Sequence, residues 1–293
     1  MNEAIRIMMN RYTLTSSNDY ENALKEIIQE IALLGLWRSK FFEKAAFYGG
    51  SALRILYGLD RFSEDLDFSL LETDIHFSID KYCKAVTDEL SSFGFHVTVQ
   101  SKTKNTVTNI DSAFVKANTL HNLITIDIPE SFTDRLHPGK LLKIKLEIDT
   151  DPPGHFKTEA KYIFQPIPFS INTFTLPHLF AGKMHDILCR SWQNRVKGRD
   201  WYDLVWYVGK GVTINLKHLE SRMRQTGHLK EKETLTEPAL KQLLSEQISN
   251  TDFSQAVNDV QPFIKDSSRL EIWSKDFFNS VCEKMLKVFA VGG

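Results

Sequence analysis

Cysteine is scarce in this 293-residue chain, which has three, Cys83, Cys189 and Cys282. They are scattered too widely for a paired zinc spacing or a disulfide framework, and all three read as buried or incidental thiols. No apolar run approaches the ~18 residues of a membrane span, and the opening Met-Asn-Glu-Ala-Ile-Arg lacks a leader pattern. The expectation is a cytoplasmic protein with no membrane partner. An excess of one charge is also missing: 36 Lys and Arg face 37 Asp and Glu, with a formal net charge of −1. Bulk electrostatic binding of a polynucleotide is thereby excluded, and any RNA would have to be gripped by a local basic patch. Gly209-Lys210-Gly211 is too short for a phosphate-binding P-loop and reads as a helix stop. There is no internal repeat, low-complexity tract or long linker.

What is present is the balance of an ordinary globular protein, 42% hydrophobic and 25% charged. The chain is organised around residues Phe47 to Phe68. Gly49-Gly50-Ser51 ends the apolar run Ala45 to Tyr48 and opens a short helix with Leu53, Leu56 and Tyr57 at helical spacing. Two glycines and the hydroxyl of Ser51 would let a phosphate reach the unpaired N–H groups and positive dipole end of that helix. Farther on, Ser63-Glu64-Asp65-Leu66-Asp67-Phe68 alternates acid with apolar residue, which is strand periodicity. Asp65 and Asp67 would then project from one face, and two carboxylates so close call for a cation; hard oxygen ligands suit Mg²⁺, which keeps waters and accepts substrate phosphate oxygens.

Around this stretch, a helix follows the caps at Ser16 to Asp19, and another runs from Ile79 to Phe93 and is closed by Gly94. Strands are expected at Phe95 to Gln100, around Ala113 to Lys116, at Leu141 to Asp149 and at Phe169 to Leu176, with a hairpin region at Thr103 to Thr108. Pro177 suits the first turn of the helix that follows. Beyond Val208 the patterning is helical: Leu216 to Met223, Pro238 to Ile248, Phe253 to Phe263 and Ile272 to Phe289.

A glycine turn followed by an Asp-x-Asp strand resembles the signature of the polymerase-β-like nucleotidyltransferase superfamily. Gly-Gly-Ser-Ala-Leu-Arg followed by Arg61-Phe62-Ser63-Glu64-Asp65-Leu66-Asp67-Phe68 is similar, more narrowly, to the AbiEii family, the toxin-side nucleotidyltransferases of AbiE-type abortive-infection and toxin–antitoxin operons. Members of the superfamily need a third carboxylate on a neighbouring strand. On Leu141 to Asp149, where Lys143, Lys145, Glu147 and Asp149 share a face, Glu147 is the first choice and Asp149 the second. Lys143, four positions before Glu147, matches the family's lysine-to-glutamate spacing. A second stretch also resembles the family: a helix with Lys183, then Lys197-Gly198-Arg199-Asp200-Trp201-Tyr202-Asp203-Leu204. Physically, Lys183 could supply charge to nucleotide phosphates, and Arg190, Arg195, Lys197 and Arg199 could meet an RNA backbone, with Trp192, Trp201 and Tyr202 as platforms for bases. Read alone, Asp200 and Asp203 could equally pair with neighbouring arginines or cap a helix. His178 and His185 share a helix face at a spacing too wide for a metal pair and read as structural.

The resemblance implies an α+β protein with a mixed-sheet nucleotidyltransferase core over residues 1–175, a helical domain over 176–293, and an active site in the cleft between them. It implies a catalytic set of Asp65, Asp67, Glu147, Lys183 and Asp200. Metal, Mg²⁺ or Mn²⁺, would fall to Asp65, Asp67 and Asp149. The NTP would meet Gly50, Ser51, Arg61, Ser63, Lys143 and Lys183, and RNA would meet Arg190, Arg195, Lys197 and Arg199. The expected activity is transfer of NMP from an NTP to the 3′ end of tRNA by a toxin that is neutralised by a cognate antitoxin. The competing readings are transfer to a protein, or a non-catalytic interaction or antitoxin-like protein that keeps the fold.

Overall fold

The structure, a computed structural model, describes residues 2–101, 119–127, 141–190 and 196–291. The chain divides into two compact units, the first of Met1–Gly58, Phe62–Pro152 and Thr158–Thr173, the second of Leu59–Arg61, Pro153–Lys157 and Phe174–Gly293.

The first unit is built on a seven-stranded mixed sheet: β1 (Ala45–Tyr48), β2 (Leu66–Leu70), β3 (His96–Ser101), β4 (Thr119–Asp127), β5 (Leu141–Asp149), β6 (Thr158–Ile163) and β7 (Phe169–Phe174). Their order across the sheet is β3-β4-β5-β2-β1-β7-β6. The pairs β1·β2, β3·β4 and β4·β5 are antiparallel, whereas β2·β5 and β1·β7 are parallel. Alternation on β5 sorts the faces cleanly. Leu142, Ile144, Leu146 and Ile148 are buried, while Lys143 and Lys145 are exposed and Glu147 and Asp149 half-buried. The apolar face joins one core with α2 (Ser17–Arg38) and α4 (Asp80–Ser92). Helix α2 starts on a reciprocal cap, in which the Ser16 side chain accepts from the Asp19 N–H and the Asp19 carboxylate from that of Ser16. Two short helices, α1 (Glu3–Met9) and α3 (Gly49–Tyr57), complete the unit.

The second unit is helical: α5 (Leu176–Cys189), α6 (Gly198–Gly209), α7 (Leu216–Gln225), α8 (Glu237–Asn250), α9 (Phe253–Val260) and α10 (Lys275–Val291). Pro177 lies in the first turn of α5, where its missing N–H costs nothing. A Cβ on Gly198 would collide with the Ala256 carbonyl, so only glycine lets α6 begin against α9. Trp201 packs edge-on against Phe253 and Phe278, and Phe180 stacks on Tyr207 with ring centroids 4.4 Å apart.

The α+β class is as expected. The strand expected at Ala113 to Lys116 and the turn at Thr103 to Thr108 lie outside the described residues. Strands β4 and β6 and helix α1 were not foreseen. Helix α10 begins at Lys275 rather than Ile272, because Leu270 closes a 3₁₀ turn and the Ser274 hydroxyl accepts from the Phe277 N–H at 3.1 Å. No helix among the described residues is long and apolar enough to cross a membrane.

Candidate active site

Strand β1 runs into α3 without an intervening loop, and Gly49 makes the turn with φ 80°. Glycine is required there twice over, for the left-handed backbone and because a Cβ would collide with the Asp67 carboxylate. No side chain caps α3, so its first N–H groups face the unmet-donor problem of any helix start. Ser51, expected to present its hydroxyl to phosphate, is instead buried, and that hydroxyl donates to the Asp65 carbonyl. Its observed work is to tie the helix start to the residue before β2.

The sheet register then lines up the acids. Tyr48 on β1 pairs with Asp67, Asp67 pairs with Glu147 on β5, and Glu147 pairs with His121 on β4. Register partners on adjacent strands sit about 4.8 Å apart, so Asp67 and Glu147 are immediate neighbours on the charged face. Asp149 pairs with Ser69 and its carboxylate accepts from the Asp151 N–H at 3.1 Å, which turns it toward the end of the strand. Asp65 precedes β2, which starts at Leu66. Glu147 is engaged by the ammonium of Lys145 and lies 3.1 Å from His121 Nδ1. Lys143 is exposed and pairs with Thr125. Ser63 is half-buried in the loop before β2, its carbonyl accepting from Gln29 at 3.1 Å. Among the described residues, His185, Cys189 and His228 are the set of three donor side chains that converges.

In the second unit the sequence-predicted residues form an interior network. Arg61 and Asp203, 2% and 0% exposed, make two parallel bonds of 2.7 and 2.6 Å. Lys183 Nζ lies 2.6 Å from Asp200 and 3.0 Å from Asp203. Burial alone would lower the Lys183 pKa, but Asp200, Asp203 and Asp186 outweigh it and raise the value. Burial likewise favours neutral Asp200, yet Lys183 and then Lys197 hold it well below the usual carboxylate range. Arg61 and Lys183, expected at the nucleotide, are therefore found as the cationic half of a buried ion cluster, and Asp200 as part of its anionic half. The physical reason is that four charges taken from water must neutralise one another.

Of the expected RNA-binding cluster, the described members Arg190, Lys197 and Arg199 each lie beside an acid. Arg195 and Trp192 lie outside the described residues. Arg190 pairs with Asp186 at 3.0 Å. Arg199 stacks on Phe263 at 4.2 Å and faces Asp259 at 3.8 Å. Lys197 is half-buried, and loss of solvent lowers its pKa despite Asp200. Trp201 and Tyr202 are core residues, the Tyr202 hydroxyl donating to Asp60 at 2.7 Å, so neither is a platform for bases.

A profile of the family described as nucleotidyl transferase AbiEii toxin, Type IV TA system, matches residues 31–278. The chain belongs to the AbiEii family. As an AbiEii protein it is a nucleotidyltransferase of a toxin–antitoxin family, and enzymes of this class work on NTPs with a divalent metal. No curated protein matches it. Its fold is similar to that of JHP933 from Helicobacter pylori, at 15% identity and a TM-score of 0.54, over 92% of this chain and 94% of that one. A Helicobacter pylori structure described as that of a nucleotidyltransferase is similar at 15% identity and a TM-score of 0.49, over 91% and 95%. In this AbiEii chain the residue that sequence reasoning missed is His121. The alternation of Ile124 and Ile126 with Thr125 and Asp127 could have revealed the end of β4, but nothing local says which acid its histidine meets.

Proposed function

We propose that this AbiEii protein is a cytoplasmic toxin that transfers NMP from an NTP to the 3′ hydroxyl of a tRNA-like acceptor and is held in check by a cognate antitoxin. The observation that carries the catalytic part is the row Tyr48, Asp67, Glu147, His121 across four strands, closed at one end by the Gly49 turn. The donor set fits a hard divalent cation: the carboxylates offer oxygen, and Asp67 and Glu147 are register neighbours on adjacent strands. Asp65 and Asp67 are the residues that would hold Mg²⁺ or Mn²⁺, with Asp149 as a third oxygen source. The ion, when bound, would offset triphosphate charge and polarise the α-phosphorus.

The chain's own residues then divide the work. Backbone N–H groups of Gly49 and Gly50 at the start of α3 meet the phosphate tail, assisted by the exposed Lys143. Glu147 takes the proton of the acceptor hydroxyl, and Lys145 and His121 orient its carboxylate. The acceptor oxygen bonds to the α-phosphorus as the bond to the β-phosphate oxygen breaks, and pyrophosphate leaves. Lys183, Asp200, Asp203 and Arg61 act at one remove by fixing α5 and α6.

Burial of Trp201 and Tyr202, with Arg199 held against Phe263 and Asp259, favours a second reading of the acceptor, a protein hydroxyl, because a protein needs neither a basic groove nor stacking platforms. Incubation with each α-labelled NTP, Mg²⁺ and total RNA or total protein separates the two. Label at RNA 3′ ends is expected, label in protein alone would establish the second reading, and no label in either would overturn both.

A further inference from the structure

Helix α5 carries a second group of side chains for which nucleotidyl transfer has no use. His185 and Cys189 lie one helical turn apart and so share a face. His228, in the turn after α7, approaches them, and one ligand atom from each of the three lies within 4.8 Å of the others. The arrangement around them is half satisfied. His185 Nε2 and His228 Nδ1 both lie 2.9 Å from the Thr226 hydroxyl, while His185 Nδ1 is buried without a hydrogen-bond partner. A buried polar atom left unpaired calls for an explanation, and a bound ion is one.

We propose that His185, Cys189 and His228 form a three-ligand Zn²⁺ site, open at its fourth position, that clips α5 to the turn following α7. Two imidazole nitrogens and a thiolate make a borderline-soft set that suits Zn²⁺ and not the hard Mg²⁺ of the carboxylate row. Burial, with Arg222 and Arg190 adding to it, holds His185 well below the usual imidazole range, so the ring is neutral and has a lone pair to give. Burial and Asp186 push the Cys189 thiol up to about 12, against Arg222. Binding therefore exchanges a proton for the metal: the S–H bond breaks, the S–Zn bond forms and the proton leaves to solvent. Thiolate and Asp186 offset the charge that Zn²⁺ brings near Arg190 and Arg222. With bonds of about 2.0–2.3 Å, tetrahedral donors stand about 3.3–3.8 Å apart. The exposed His228 can supply the closing movement.

The test uses the full chain stripped with a chelator and titrated with Zn²⁺ or Co²⁺. The expected result is one Zn²⁺ per chain, a higher Tm with the metal, and a sulfur-to-cobalt charge-transfer band in the near ultraviolet. His228→Ala, at an exposed position, should weaken Zn²⁺ binding about tenfold or more and abolish the Tm rise. Cys189→Ser should remove the cobalt band. Unaltered Zn²⁺ binding by His228→Ala, or no charge-transfer band in the wild type, would overturn the proposal. So would Zn²⁺ binding lost in Asp67→Asn but kept in His228→Ala. None of these readings depends on transferase activity, so the site stands or falls separately from the proposed reaction.

Discussion

Gly49 carries two constraints in one residue, a left-handed backbone and a missing Cβ whose place the Asp67 carboxylate takes. Alanine there costs about 1–2 kcal/mol from the backbone alone and also displaces the carboxylate. Gly49→Ala is therefore expected to lower the urea midpoint and cut transfer sharply. A variant with wild-type stability and activity would show that the turn is not shaped around Asp67. A second residue-level expectation concerns Glu30, 4% exposed and bonded by Arg11 at 2.6 Å. Burial raises its carboxyl from 4.5 to about 7, with Arg11 opposing and Glu26 adding. The folded state thus keeps a proton that the unfolded chain releases. This contribution is fully present below pH 4.5 and is lost as pH rises through about 7, at most about 3 kcal/mol. Glu30→Gln should flatten stability against pH over that window, as read by denaturation at several pH values. An unchanged profile would assign the dependence elsewhere.

At the scale of elements, α5 and α6 are locked by charges rather than by apolar packing alone. Asp203→Asn leaves Arg61 and Lys183 with one formal negative charge fewer in a dry interior, and breaking such a buried pair costs about 3–5 kcal/mol. The surface pair Lys84–Asp88, 75% and 62% exposed, makes the control, since its loss costs at most about 0.5 kcal/mol. Thermal denaturation of the two variants compares them, and equal small losses would contradict a load carried by the buried cluster. Elements with strong periodicity were legible in the sequence: β5 matches its alternating run residue for residue, and α4 ends where Gly94 takes up φ 92°. Strand β6, Thr158–Ile163, was not, because Tyr162 is exposed and its apolar and polar residues alternate weakly. Glu147 was legible as a candidate because strand period puts it on a face with Asp149. Which acid stands beside Asp67 is set by the register of β5 on β2, a nonlocal quantity. Partner choice was the other blind spot. Lys183, Arg61 and the two acids at 200 and 203 are all visible in the chain, but only tertiary structure shows that they meet one another.

For the whole molecule, the family match over residues 31–278 shows the nucleotidyltransferase family, and the carboxylate row on the sheet is where the proposed reaction is placed. Everything proposed about the reaction passes through Asp67, which stands between the Gly49 turn and Glu147. The decisive measurement is transfer of label from an α-labelled NTP by wild type and Asp67→Asn side by side, with Mg²⁺ present and circular dichroism confirming that both are folded. An amide keeps the shape and removes the charge, so transfer should fall by about a hundredfold or more while the fold persists. Wild-type transfer by a folded Asp67→Asn would contradict a nucleotidyltransferase site at this carboxylate.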